Sequence, residues 1–327
     1  MELYPLIFEP ILKEKVWGGQ SLEAFGKTLP DGVAIGESWE LADLPDTIED
    51  GRSVVANGPL AGQTLSNVIA NHPELLGNAK LMNGCFPLLI KYLDANDNLS
   101  VQVHPTERYV AEHPESHLKS EAWIVLKAKE GSCIYVGLAH GTTESKLRSA
   151  IEADSIPDVI RAIPVTKGEC YYLPSGTCHA LGEGVVVAEV QTPSDTTFRV
   201  WDWGRKGRTM HVDQAVECID FYATPLSFTQ NKPLVSGHVQ TTLLASTAFF
   251  TAERIDAIED VAIDMSTDVS PRVLMTIEGE ANIEHDQSID ASCGQTVLVP
   301  ANTIITLSLR KGASVLVFDM PTETMIA

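Results

Sequence analysis

Residues 168–179 read GECYYLPSGTCH, and this stretch decides the fold that the sequence predicts. A glycine is followed after five residues by Pro-x-Gly, and after two further residues by His179. Proline and glycine at this spacing are typical of a tight turn between two strands. The pattern therefore predicts a β-strand that turns sharply and presents the imidazole of His179.

Further side chains of the metal-binding type lie upstream. Gln102 and His104 are two residues apart in an alternating segment, so both side chains leave the same face of a strand. Glu121 begins the apolar strand AWIVL. Side chains on strands about 4.8 Å apart can reach one ion, and this donor set suits Zn²⁺ or a similar borderline cation. A single histidine is usually structural, so the prediction of a metal site rests on the combination with the turn at His179.

The amino-acid composition limits the kinds of protein and of partner to be considered. The chain has 327 residues, of which 44% are hydrophobic and 20% charged, as in an ordinary globular protein. Its net charge of −21 argues against nucleic acid and anionic membranes as partners. There is no apolar run of membrane-spanning length, and the first residues do not resemble a secretory signal. Six scattered cysteines without a CxxC pair indicate reduced thiols, so we expect a cytoplasmic protein.

Short segments rich in β-branched and aromatic residues alternate with turn residues along the chain, which predicts a mainly β protein. Strands are predicted at 86–90, 99–104, 122–126, 185–191 and 197–203. Helices are predicted at 64–71, 143–153 and 157–163.

Residues 294–305, GQTVLVPANTII, repeat the spacing of the first motif. Asn302 stands where Gly176 stands, which suits a left-handed backbone position. Ile305 stands where His179 stands, so the second copy has no metal ligand there. The repeat predicts two β-barrels built on one plan, of which only the first carries the chemistry.

The motifs resemble those of the cupin superfamily. The second cupin motif matches up to His179, although Glu183 replaces its trailing Asn. In the first motif, the usual His-x-His followed closely by Glu is here Gln102-x-His104, with Glu121 seventeen residues later.

These departures resemble one branch, the type I mannose-6-phosphate isomerases in their shorter bacterial form. The matching segments cover much of the first 220 residues: 15–19, 36–41, 86–91, 99–105, 119–123, 176–180 and 195–202. The resemblance implies a mainly β fold of two cupin-type (jelly-roll) β-barrels, with a few short helices inserted in the N-terminal part. We expect a catalytic cupin domain over 1–228 and a degenerate second cupin domain over 229–327.

The family resemblance also implies a cofactor and a reaction. One Zn²⁺ per chain would be bound by Gln102, His104, Glu121 and His179, with the neutral amide of Gln102 as the weakest ligand. The reaction would interconvert mannose 6-phosphate and fructose 6-phosphate by moving a proton between C1 and C2 through an enediolate. The expected partner is therefore a sugar phosphate, and the sequence does not choose between a monomer and a homodimer.

Arg199 matches the active-site arginine of the family. It lies in the alternating segment TFRVW, where Thr197 and Trp201 are expected to share its face and point into the barrel. Its guanidinium could bind an enediolate oxygen or the phosphate. The alternative is a structural partner of Asp195 or Asp202.

Lys119 precedes Glu121 by two positions and matches a lysine of the family motif. A cationic neighbourhood would favour its deprotonated form, which a general base needs. The alternative is an exposed lysine at the start of a strand. Three indoles, those of Trp17, Trp39 and Trp123, could line the cleft, since aromatic faces suit the C–H side of a sugar; the alternative is that they are core residues.

Two other functions stay open from the sequence. An iron-dependent cupin oxygenase is disfavoured because Gln102 replaces a histidine, which gives a poorer site for redox iron. A non-catalytic sugar-phosphate binder that retains the barrel is disfavoured because the candidate residues of the first barrel are all present.

Overall fold

The computed structural model describes residues 2–223, 226–227 and 231–320. The first part of the chain forms strands β1 Leu6–Ile7, β2 Ile11–Gly19, β3 Ile35–Leu41, β4 Leu89–Ala95, β5 Val101–Val103, β6 Glu121–Ala128, β7 Cys133–Leu138, β8 Ile160–Pro164, β9 Cys170–Leu173, β10 His179–Leu181, β11 Val185–Gln191, β12 Phe198–Trp201 and β13 Leu226–Ser227. The rest forms β14 Leu234–Ser236, β15 Val239–Ser246, β16 Thr251–Ala257, β17 Val261–Ser266, β18 Arg272–Glu278, β19 Ala281–Glu284, β20 Ser288–Asp290, β21 Thr296–Val299, β22 Ile304–Leu309 and β23 Ser314–Asp319.

Helices are few and short. The α-helices are α1 Leu65–Asn71, α2 Glu107–Glu112, α3 Glu144–Glu152 and α4 Val212–Cys218, and 3₁₀ turns lie at Ser21–Phe25, Gly58–Leu60, Pro73–Leu76 and Ile156–Asp158. Helices α2, α3 and α4 cover one face of the sheet that contains β5 and β12, through apolar residues such as Tyr109, Leu147 and Ala215. The predicted mainly β class with few helices is confirmed.

The strands form four sheets that pack as two sandwiches. In the first sandwich, a seven-stranded sheet (β13-β9-β6-β11-β4-β3-β2) faces a five-stranded sheet (β12-β5-β10-β7-β8), and Val187 and Val136 belong to the core between them. In the second sandwich, a seven-stranded sheet (β1-β21-β18-β23-β16-β15-β14) faces a four-stranded sheet (β17-β22-β19-β20), with Val315 and Leu307 in the core between them.

The two seven-stranded sheets pack back to back. Ile124 and Ala188 of the first sandwich share one apolar cluster with Met275 and Phe318 of the second. Strand β11 is therefore buried on both faces, which explains why its sequence VVVAEVQ is almost continuously apolar.

The first strand of the chain belongs to the second sandwich. Strand β1 pairs with β21 in antiparallel register, with Leu6 opposite Leu298. The predicted domain boundary between 228 and 229 lies outside the described residues.

The internal repeat predicted from the two turn motifs is confirmed. Gly168 and Gly294 have φ of 94° and 92°, and Gly176 and Asn302 have φ of 87° and 57°. Strands β9 and β21 each begin two residues after the first glycine of their motif. The same backbone path thus occurs once in each sandwich.

Two of the three predicted helices are confirmed. Helices α1 and α3 begin directly after Thr64 and Thr143, whose hydroxyls accept hydrogen bonds from backbone N–H groups of the first turn. The predicted helix at 157–163 is wrong. After the 3₁₀ turn, this segment becomes β8, in which Ile160 is buried and Arg161 half-buried, because pairing with β7 outweighs the local helix preference.

Strand bounds also differ from the predictions. The strand predicted at 86–90 begins only at Leu89, because the backbone N–H of Phe86 donates to the Asp43 carboxylate instead of a neighbouring strand. Strand β12 ends at Trp201, two residues earlier than predicted, since Trp203 has φ of 55°. Strand β11 has the predicted bounds.

No helix in the described part of the chain is long and apolar enough to cross a membrane.

Candidate metal centre

Three neighbouring strands of the five-stranded sheet bring the candidate residues together. Gln102 on β5 lies opposite His179 on β10, and Arg199 on β12 lies opposite Gln102 from the other side. Glu121 is the first residue of β6 in the facing sheet. These three neighbouring residues therefore form a row that faces Glu121 across the sandwich: Arg199, Gln102 and His179.

The turn at Gly176 sets the position of His179. The N–H of Gly176 donates to the His104 carbonyl over 3.2 Å, so a backbone hydrogen bond links the turn to the other candidate histidine. A Cβ at this glycine would lie 3.0 Å from both the Cys218 carbonyl oxygen and a Thr106 methyl group. Only glycine combines this positive φ with this close approach.

Two imidazoles and one carboxylate meet inside the first sandwich. His104 Nε2 lies 3.4 Å from one oxygen of Glu121, and His179 Nε2 lies 3.2 Å from the other. The candidate ligand atoms of these three residues all lie within 4.8 Å of one another. All three side chains are buried, with 0–2% of their surface exposed. Sequence reasoning brought these three together, and the structure places them in contact.

Hydrogen bonds to the backbone determine which nitrogen of each ring faces the cluster. His104 Nδ1 lies 3.0 Å from the Thr196 carbonyl and His179 Nδ1 lies 2.8 Å from the Thr177 carbonyl, so each Nδ1–H donates. Each Nε2 then presents a lone pair towards the carboxylate of Glu121, which is itself an acceptor. His104 Nε2 and Glu121 Oε1 are buried without a hydrogen-bond partner. Acceptors that converge in this way fit a cation between them.

Electrostatics favour the ligand forms of these groups. Burial and the nearby Lys119 ammonium lower the pKa of His104 to about 3, so its imidazole is neutral. Burial raises the pKa of Glu121, but the Lys119 ammonium outweighs burial and holds that pKa well below 4.5. Neutral imidazole and ionised carboxylate are the forms that bind a divalent metal.

Gln102 lies beside the cluster. Its amide Nε2 is 3.3 Å from His179 Nε2, within hydrogen-bond distance of the ring nitrogen that faces Glu121. The amide oxygen of Gln102 is the atom that would bind a cation. Because the amide group lies next to this ring nitrogen, Gln102 is a candidate fourth donor.

Lys119 is buried, with 5% of its surface exposed, and its Nζ lies 2.8 Å from Glu121 Oε2. The alternative of an exposed lysine is therefore wrong. Its ammonium lies at the edge of the cluster, where it contacts the carboxylate and also lines an adjacent cavity.

A cavity of about 310 Å³ opens beside the cluster and is lined by Gln102, Lys119 and Arg199. The predicted indoles also line it: Trp17, Trp39 and Trp123. The prediction that these three tryptophans line the cleft is confirmed. A cavity of about 600 Å³ elsewhere, between the first residues and β20, contains none of the candidate site residues.

Arg199 reaches the cavity without an acidic partner. Its Nη1 donates to the Thr209 carbonyl over 2.7 Å, and its Nε is buried without a hydrogen-bond partner. Asp202 instead accepts from Arg205 and Arg208. Among the residues that the structure describes, Arg199 forms no ion pair, so the interpretation as a structural partner of Asp195 or Asp202 is wrong.

The expected alternation around Arg199 is also wrong at one position. The register of β12 against β5 shifts between Arg199 and Trp201, where an extra residue is inserted. Trp201 consequently packs into the apolar cluster under the helices, away from the cavity, and its indole N–H donates to Asp154. A β-bulge of this kind re-aims the side chains that follow it.

Sequence reasoning missed a row of charges along the cavity wall. Lys91 Nζ lies 3.2 Å from Glu189 and 3.7 Å from Glu37, and Lys15 Nζ lies 3.1 Å from Glu37. Burial raises the pKa of Glu37, but Lys91 and Lys15 outweigh it and lower it to about 2. The sequence pattern that could have revealed Lys91 and Glu189 is a single charged residue in an otherwise apolar segment, as in FPLLIK and VVVAEVQ.

Comparison with known proteins identifies the family of the chain. The family profile "Phosphomannose isomerase type I, catalytic domain" matches residues 6–137. A mannose-6-phosphate isomerase of Streptococcus mutans is 39% identical over 76% of this chain and 77% of its own. The crystal structure of the mannose 6-phosphate isomerase from Bacillus subtilis superimposes with a TM-score of 0.87 at 29% identity, covering 97% of this chain and 99% of that one. A zinc-bound mannose 6-phosphate isomerase shares the fold, with a TM-score of 0.71 at 16% identity over 97% and 99% of the two chains.

The fold and the buried His–Glu–His cluster define a cupin-type enzyme with a candidate metal centre inside one sandwich. Within that class, the chain belongs to the type I phosphomannose isomerase family.

Proposed function

We propose that this chain is a zinc-dependent aldose–ketose isomerase that interconverts mannose 6-phosphate and fructose 6-phosphate. The observation that carries the proposal is the cluster of His104, Glu121 and His179 in a chain of this family. The cluster lies next to a cavity that Lys119 and Arg199 line.

One Zn²⁺ per chain would be held by Gln102, His104, Glu121 and His179. Two neutral imidazoles and a carboxylate are the donor set that zinc takes in catalytic sites, and the zinc-bound family structure supports this metal. When bound, the ion supplies a positive charge that polarises carbonyl and hydroxyl oxygens. The donor atoms of His104, Glu121 and His179 already face one another, whereas Gln102 would have to turn its amide oxygen towards the ion.

The proton transfer falls to Lys119. Isomerisation removes a proton from one of C1 and C2 and returns it to the other through an enediolate, so a group of tunable charge must stand beside both carbons. Lys119 Nζ lines the cavity and is held 2.8 Å from Glu121, which fixes its position at the edge of the cluster.

Arg199 supplies a fixed charge for the anionic part of the substrate. Its guanidinium points into the cavity without an acidic partner in the described residues, so its charge is available to an enediolate oxygen or to the phosphate. Lys13, Lys15 and Lys91 also line the cavity. This local excess of cations suits a sugar phosphate, although the chain as a whole carries a charge of −21.

The test is a coupled isomerase assay on protein stripped with a chelator and reloaded with Zn²⁺. We expect conversion in both directions that disappears on stripping and returns with the metal. His179→Ala should lose stoichiometric zinc and lower kcat/KM at least about a thousandfold, since one of three strong donors is removed. His140→Ala, an exposed histidine of the same sandwich, is the control that should keep both.

Zinc-loaded protein that leaves both sugars unchanged would refute the proposal. Tight sugar-phosphate binding without turnover would favour the non-catalytic binder, and stoichiometric iron with O₂ consumption would favour the oxygenase.

A further inference from the structure

Glu189 carries a charge inside the first sandwich, where a carboxylate is costly to bury. It lies on β11 with 2% of its surface exposed, between the valines of a strand buried on both faces. Taking an ionised carboxylate out of water costs several kcal/mol unless its oxygens find close partners. The partners of Glu189 therefore indicate why the charge is there.

One oxygen of Glu189 accepts a hydrogen bond from a neighbouring strand, and the other faces a cation on the opposite neighbour. The indole N–H of Trp123 donates to Oε2 over 2.8 Å, and Lys91 Nζ lies 3.2 Å from Oε1. The register places these residues directly opposite Glu189, Trp123 on β6 and Lys91 on β4. Three buried side chains thus form one row across three hydrogen-bonded strands.

The row ends against the candidate metal ligand His179. The rings of Trp123 and His179 lie 5.3 Å apart between centroids and cross at 84°, which is the edge-to-face contact that aromatic rings favour. The backbone bond from His179 Nδ1 to Thr177 fixes one atom of the imidazole. The indole supports the ring itself, on the side of the β6 strand that also carries Glu121.

We propose that Glu189 is a positioning residue of the metal centre, because it holds the Trp123 indole in the orientation that keeps His179 Nε2 aimed at Glu121. This inference rests on the proposed function only for the assignment of His179 as a metal ligand. Outer contacts of this kind are worth roughly 10–100-fold in metal affinity when they orient a ligand.

A second indole supplies a matched control. Trp39 Nε1 donates to Glu37 over 2.7 Å, so it makes the same kind of bond to a carboxylate at the wall of the same cavity. The Trp39 ring lies under the Lys13 and Lys91 ammonium groups, and among the described residues it forms no ring pair with His104 or His179. Loss of its N–H should leave the cluster unaffected.

The experiment measures zinc affinity without substrate, by competition of the metal-free protein with a chromophoric chelator for Zn²⁺. Trp123→Phe keeps an aromatic ring but loses the N–H, and we expect its zinc dissociation constant to rise about tenfold or more. Glu189→Leu should raise it to a similar extent, whereas Glu189→Gln, which keeps an acceptor for the indole, should stay within about threefold. The double variant Trp123→Phe/Glu189→Leu should be no weaker than either single variant, because both remove one interaction.

Trp39→Phe should keep the wild-type zinc affinity. The inference is overturned if Trp123→Phe, folded by circular dichroism, binds zinc as tightly as the wild type, or if Trp39→Phe is weakened equally. A wild type that does not bind zinc at all would instead refute the proposed function, so the two failures are distinguishable.

Discussion

At the scale of single residues, two charged side chains only two positions apart face different parts of the site. Glu121 faces the two imidazoles, and Lys119, two residues earlier on the chain, contacts the same carboxylate from the cavity side. A metal bound at the cluster would compensate the charge of Glu121. Under the proposed function, Lys119 would then be free to serve the substrate without being needed to hold the ligand in place.

This separation predicts the behaviour of Lys119 variants. Lys119→Met should lower kcat by about 10²–10⁴, the usual contribution of a positioned acid or base, while zinc still binds one per chain. Lys119→Arg should not restore the rate, because a guanidinium does not release its proton in proteins. Steady-state kinetics with metal analysis of the same samples checks both statements. Retained kcat in Lys119→Met would contradict the assignment of this lysine as the proton-transfer group.

The sequence predicted the residues of the cluster but not the row that supports it. His104, Glu121 and His179 were found because each belongs to a local motif whose spacing is visible in one dimension. The row of Lys91, Glu189 and Trp123 exists only through the register of β4, β11 and β6, which no local spacing reveals.

At the scale of elements, the turn between β9 and β10 is the most constrained part of the site. Gly176 has φ of 87°, and its missing Cβ makes room for the Cys218 carbonyl and Thr106. Gly141 also has positive φ, of 77°, but no atom lies within 4 Å of the place where its Cβ would be. A comparison of alanine variants at these two glycines therefore distinguishes the cost of the left-handed backbone from the cost of close contacts.

Gly176→Ala should therefore destabilise the protein more than Gly141→Ala. The left-handed backbone alone costs about 1–2 kcal/mol for an alanine, and at 176 the contacts add to that cost. Urea unfolding of both variants measures the difference, and we expect Gly176→Ala also to weaken zinc binding because His179 follows the turn. Equal losses of stability in the two variants would show that the close approach is unimportant.

Elements were predicted well where both faces of a strand are buried and poorly where local and tertiary preferences compete. The continuous apolar run of β11 gave its bounds directly. The 157–163 segment has a proline at a position that suits the start of a helix, yet pairing of β8 with β7 determines its conformation. The bulge that turns Trp201 away from the cavity depends on the partner strand, so alternation within β12 could not show it.

At the scale of the whole molecule, a buried ion pair joins the two sandwiches. Lys27 Nζ lies 2.6 Å from Glu40 Oε2 and 2.5 Å from the Gly294 carbonyl of the second sandwich, and both side chains are about 5% exposed. Glu40 is on β3, the strand whose Glu37 and Trp39 line the cavity. The pair thus links the cavity wall to the turn motif of the second sandwich.

Removing one partner of this pair should be costly. Lys27→Met leaves the Glu40 carboxylate buried without its cation, and we expect a loss of about 3–5 kcal/mol in the free energy of unfolding. The double variant Lys27→Met/Glu40→Leu should recover most of that loss, since neither charge remains. Denaturant unfolding of the three proteins tests this expectation. A single variant that is as stable as the wild type would mean that the pair does not hold the sandwiches together.

The pairing of β1 with β21 has a consequence for how the chain is made. Leu6 and Ile7 are translated long before β21, the strand with which they pair. The described strands of the sandwich that carries the cluster lie between residues 11 and 227, whereas the other sandwich combines β1 with strands that follow residue 233. Strand β1 therefore finds its partner late, because closing the long loop between residues 7 and 297 is a strongly non-local step of folding.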